Sequence, residues 1–162
     1  MLYSFADYAL DSGLNQLIAN TFWLWPVLET LHFIGLSLLL GGLLVIDLRV
    51  AGHFRGFHPR AVHQLLPLVV TGLALNITTG VLFFFGDPMR YAANIGFQTK
   101  MVLVLLAGLN VLFYYLKIDP QVRHWERDTP SPALAKTVAY TSLAAWFGVL
   151  LLGRLIPYVG SG

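Results

Sequence analysis

Cysteine is absent from this 162-residue chain, and charge is scarce: ten Lys and Arg with eight Asp and Glu make up only 11% of it. The first absence excludes disulfides, thiolate nucleophiles, iron–sulfur centres and cysteine zinc sites. The second excludes an ordinary soluble domain, where about a quarter of the residues carry charge. The net charge of +2 is carried by no basic stripe or patch, so nucleic acid is not a partner. A glycine-rich phosphate loop is missing as well. What the chain has in abundance is apolar surface, with 57% hydrophobic and 14% aromatic residues. The composition is that of a single integral-membrane domain whose main partner is the lipid bilayer.

Four apolar stretches have about the length that a bilayer requires. They run over about 22–46, 65–85, 97–116 and 138–158, and predict an all-α bundle of four transmembrane helices. The third is the weakest, because its uncharged run begins only after Lys100. The first and third connections share one side. Together they carry Arg49, Arg55, Arg60, Lys117, Arg123, Arg127 and Lys136, seven of the ten Lys and Arg. Positive loops stay inside, which predicts a multi-pass protein of the bacterial inner membrane with both termini periplasmic.

The N-terminus has no basic region and carries Asp7 and Asp11, so it does not read as a signal peptide. Leu2, Phe5, Ala9, Leu10, Leu14, Leu17 and Ile18 recur at near-helical spacing, which predicts an amphipathic interfacial helix over about 2–18. Trp23, Trp25 and Tyr158 suit one aromatic belt, and Tyr114, Tyr115 and Trp125 the other. Gly35, Gly41, Gly42, Gly72, Gly80, Gly148 and Gly153 fall inside the spans, as do Ala144 and Ala145. Small residues there serve either close helix packing or clearance for a planar cofactor.

Ionisable groups inside a membrane are expensive and mark candidate sites. Counting along helices at about 1.5 Å per residue gives their depth. His32 lies 17 residues before Arg49, Lys100 lies 17 before Lys117, and Arg154 lies 18 beyond Lys136. Glu29 is one turn from His32. Glu29, His32, Lys100 and Arg154 therefore share one level in the outer half, with Asn76 and Thr79 nearby. The competing reading has Lys100 and Arg154 snorkelling to headgroups and His32 making a structural hydrogen bond. Asp47 and Arg49 are expected to end the first span at the headgroups, with Arg49 partly neutralising Asp47. Asn76 and Asn110 are expected to bond between helices.

His32 is the candidate metal ligand, for the iron of haem b. His53, His58, His63 and His124 all belong to the opposite side, too far away to complete a bis-His pair. A sixth ligand would be an open position, a group from a partner subunit, or Met101, a soft candidate ligand. Lys100, Arg154 or Arg90 would meet the propionates, and Glu29 would orient the ligating ring or relay a proton. The four loop histidines have no helical spacing and read as interfacial groups rather than a metal cluster.

The segment Glu29-Thr-Leu-His32-Phe-Ile-Gly35, continuing through Gly41 and Gly42 to Asp47-Leu-Arg49, together with Phe97-Gln-Thr-Lys100 and Leu-Ala-Gly-Leu-Asn110, resembles a family of small four-helix bacterial membrane proteins of unknown function. More distantly, a histidine in the first helix and a lysine opening the third resemble the HemJ-type protoporphyrinogen oxidases and the CopD-type membrane proteins. The HemJ resemblance implies haem b at His32 and an essential Lys100. The CopD resemblance implies copper movement, for which a chain with three methionines and no cysteine is poorly supplied.

These readings lead to a haem-b-binding membrane redox protein or electron-transfer subunit, exchanging electrons with quinone or a membrane or periplasmic partner. Porphyrinogen oxidation is one specific version, with Glu29 and Lys100 as the catalytic groups. The alternatives are a non-catalytic accessory or anchor subunit, a homo-oligomeric small transporter, and a quinone-binding protein without haem.

Overall fold

The computed structural model describes residues 2–54, 56–58, 61–62, 64–122, 125 and 130–159. Two short helices, α1 (Leu2–Leu10) and α2 (Gly13–Asn20), stand where one was expected. The break is at Ser12, whose hydroxyl donates to the Ala9 carbonyl at 2.6 Å and accepts from the Asn15 N–H at 3.1 Å. A serine that caps a new helix also ends the previous one. Ala6 and Ala9 are fully buried in a small cluster with Phe84 and Ala92, and Phe5 stacks on Phe84 at 5.6 Å. Asn15 donates to the carbonyls of Phe85 and Gly86, which ties α2 to the end of the second long helix.

Four long helices follow, all apolar enough to cross a membrane: α3 (Leu24–Val50), α4 (Leu66–Gly86), a composite third span (Ile95–Val122) and α8 (Ala133–Leu155). A short helix, α5 (Pro88–Ala93), joins α4 to the third span. That span comprises α6 (Ile95–Phe113), a π-helical segment (Tyr114–Ile118) and α7 (Asp119–Val122). The described residues contain no strand, and the protein is an all-α four-helix bundle. The third span is longer than its apolar run suggested. Pro120 has no N–H to give to the preceding turn, and the chain passes it by widening into a π turn rather than ending. α8 stops at Leu155, just before Pro157.

α3 packs on α4, α6 packs on α8, and a smaller α3–α8 seam joins the two pairs. The tightest approach is between α3 and α4. A Cβ placed on Gly72 would come within 2.5 Å of the Gly35 carbonyl oxygen, and one on Gly42 within 2.4 Å of Val69. These contacts run in opposite sequence directions, so the pair is antiparallel. The core runs along this pair and the seam, through Leu39, Leu43, Ile46, Val69, Val138 and Trp146. α6 buries only Gly96 and Ala107, and turns Val102, Leu105 and Leu109 outward as a lipid-facing surface.

Several expectations change here. Trp125 is buried in the core instead of standing in an aromatic belt, whereas Trp23, Tyr115 and Tyr158 are exposed as belt residues are. Asp47 and Arg49 are both inside, at 5% and 2% exposure. Asp47 is bonded by Ser142 of α8, and Arg49 Nε donates to the Phe57 carbonyl. Asp47 meets a neighbouring helix and Arg49 the loop that follows its own, and α3 continues past Ile46 to Val50. Asn110 does bond between helices, to the Val138 carbonyl at 3.1 Å. Asn76 instead turns back to Gly72 of its own helix at 2.9 Å. Arg55, Arg60, His63, Arg123, His124, Glu126, Arg127 and Asp128 lie outside the described residues.

Candidate functional site

His32 sits on the face of α3 that meets α4, one turn before the Gly35–Gly72 crossing. That crossing brings the helices close enough for its Nδ1 to reach the Thr79 hydroxyl at 2.7 Å. Thr79 is itself buried and donates to the Leu75 carbonyl at 2.7 Å. A threonine hydroxyl has one hydrogen. When that hydrogen goes to Leu75, the oxygen accepts and Nδ1 of His32 donates. The other ring nitrogen, Nε2, then holds the free lone pair. Phe83, one turn beyond Thr79, lies edge-on to the imidazole at 5.5 Å and fixes its second side.

Lys100 opens the third span and stretches along α8. Its Nζ, Cε and Cδ pass 3.4–3.9 Å from the position of a Cβ on Gly153, so the missing side chain there makes the channel for its stem. No carboxylate lies within ion-pair distance of Lys100 among the described residues, and its charge acts on the His32 ring. Asn94 holds the two helices at this level. Its amide donates to the carbonyls of Ile156 and Val159, and its Oδ1 caps α6 by accepting from the Phe97 N–H.

Glu29 is exposed and accepts from Trp25 Nε1 at 3.1 Å. Trp25 packs on Phe83 at 5.2 Å, so Glu29 joins the rim of the site through an aromatic bridge. The group that orients His32 is Thr79, not the expected Glu29. Tyr91 of α5 feels the charges of Arg90, Asp87 and Glu29, and burial pushes its phenol above the usual range. Arg90 lies 4.0 Å from Asp87. Two candidates are not brought in: Arg154 is exposed beside Gly153, and Met101 is 49% exposed on the outer side of α6.

The structure thus joins His32 and Lys100, with Glu29 at the rim, while Arg90 lies beside Asp87 at the start of α5. Sequence reasoning missed Trp25, Phe83 and Tyr91 as parts of the site, and the role of Thr79. Depth counting had put Thr79 at the right level, but only the helix rotation shows the contact. Gly35, Gly42, Gly72 and Gly148 are filled by neighbouring helices, whereas Gly41, Gly80 and Gly108 have nothing within 4 Å of an added Cβ. Among the described residues no three His, Asp or Glu side chains gather as a metal site. The chain matches no family model, no curated protein and no solved structure.

Proposed function

We propose that this protein binds b-type haem through His32 and serves as a redox or electron-transfer component of the bacterial inner membrane. The observation that carries the reading is the hydrogen-bond chain from Nδ1 of His32 through Thr79 to the Leu75 carbonyl. It leaves Nε2 as the lone-pair nitrogen, and a ligating histidine is typically held by a hydrogen bond from its other nitrogen in this way. The unpaired Lys100 ammonium at the same level suits an anionic group such as a propionate.

His32 would hold the iron and Lys100 would meet one carboxylate. When bound, the haem would supply reversible one-electron chemistry, with quinone or a periplasmic protein as the exchanging partner. Thr79 and Phe83 hold the ring and its tautomer. Lys100 balances negative charge in a medium where charge is otherwise costly. Glu29, held by Trp25, is an exposed carboxylate one turn from His32 and would pass a proton outward. The cavity lined by Ile46, Arg49, Val50, Val62, Tyr114, Val122 and Trp125 has about 10 Å³ of free volume and lies at the other end of α3, so it takes no part.

An absorbance spectrum of detergent-purified protein from haem-sufficient cells, oxidised and reduced, tests the reading. A Soret band with sharp reduced α and β bands, lost in a folded His32→Ala variant, supports it. Colourless wild-type protein overturns it.

A further inference from the structure

A second buried ionisable group lies far from His32, and the proposed redox site does not use it. Asp47 stands 15 residues beyond His32 on α3, about 22 Å along the helix at roughly 1.5 Å per residue. It is 5% exposed, faces Ser142 of α8, and its Oδ2 has no hydrogen-bond partner. One turn further along α8, on the face that carries Ser142, Trp146 buries an indole N–H that also lacks a partner. An ionised carboxylate left this way would cost several kcal/mol, and the neutral acid costs far less.

Among the described residues no surrounding charge supplies a counterion. On α3, Arg49 directs its Nε to the Phe57 carbonyl. On α8, Lys136 is exposed, six residues before Ser142, and lies against Gly52. Lys117 of the π segment is exposed, and Asp119 of α7 is a second buried acid of the same sign. None of these cations is among the groups acting on Asp47, whose hydrogen-bonding partner among the described residues is Ser142.

We propose that Asp47 is a proton-exchange site: its carboxyl carries a proton inside the bundle and trades it with the solution at the basic-loop end. Asp47 lies one turn from the end of α3, which gives it a short path to that solution. On release the proton passes from the carboxyl to water. The carboxylate left behind is met by the Ser142 hydroxyl, with the idle Trp146 N–H one turn away as a second donor. The proposal does not rest on haem, so the two fail separately.

Infrared difference spectroscopy of the full-length protein in liposomes is the test. The expected result is a carbonyl-stretch band of a protonated carboxylic acid that shifts in deuterium oxide, fades as the bath is made alkaline, and is missing from Asp47→Asn. In Ser142→Ala the band should move in frequency, because a hydrogen bond to the carboxyl is lost; this variant serves if Asp47→Asn does not fold. No such band at any pH overturns the proposal, as does a band unmoved by deuterium oxide, which would mark a sealed structural acid. Loss of the band on adding sodium at constant ionic strength also overturns it, since the site would then hold a metal cation.

Discussion

His32 and Thr79 meet at 2.7 Å although 47 residues separate them in the chain, and the contact exists because two glycines let α3 and α4 nearly touch one turn away. Packing and chemistry at this site are therefore one feature. The hydroxyl that sets the tautomer is delivered by a helix crossing that any larger side chain would open.

Thr79→Val keeps the branched shape and removes the acceptor. It is expected to cost about 1 kcal/mol in stability and to release the His32 ring to either tautomer. The first effect is read from thermal unfolding in detergent. If haem is bound, the second appears as a changed reduced spectrum and a weakened hold on the pigment.

Gly72→Ala places a methyl 2.5 Å from the Gly35 carbonyl oxygen, and helices must move apart to admit it. A loss of about 1–3 kcal/mol is expected. Gly80→Ala and Gly41→Ala meet nothing within 4 Å and are expected to be neutral or to stabilise by up to about 1 kcal/mol through helix propensity. Measuring the three side by side separates packing glycines from open ones.

The sequence announced much of this architecture. Four spans were legible from apolar runs, and the shared depth of His32, Lys100 and Glu29 was legible from counting. Rotation was not. Arg154 sits at the same depth as Lys100, yet one lies along Gly153 and the other is exposed, a difference of a single residue on a helix. Asp47 and Arg49 resembled ordinary headgroup anchors because nothing local reveals that Ser142, 95 residues on, faces Asp47, or that the loop after α3 folds back so that the Phe57 carbonyl accepts from Arg49. The π segment was equally hidden, being a response to Pro120 that no hydrophobic count registers.

Lys100→Met keeps the stem in its channel along Gly153 and deletes a charge with no ion-pair partner. Removing such a charge from a membrane interior should leave stability unchanged or raised. Binding of any anionic ligand should fall at least tenfold, the loss of one charge-assisted hydrogen bond. Thermal unfolding in detergent measures the stability and titration of the purified protein with haem the binding, and equal binding by the variant would remove Lys100 from the site.

Asn110→Leu breaks the bond to the Val138 carbonyl that links the third span to α8. Interhelical hydrogen bonds in membranes average about 0.6 kcal/mol, so a small loss of stability is expected and, if haem is bound, an unchanged spectrum. A large spectral change would mean that this end of the bundle communicates with His32.

The order of packing, α4 on α3, α3 on α8 and α8 on α6, carries a consequence for how the chain is made. Each hairpin of long helices completes its main contacts within itself, so each is suited to enter the bilayer as a unit, the first before the second has left the ribosome. What remains for assembly is a zipper of modest extent between two finished halves. Two fragments produced as separate polypeptides and mixed in one membrane should accordingly recognise each other along α3 and α8 and rebuild the whole.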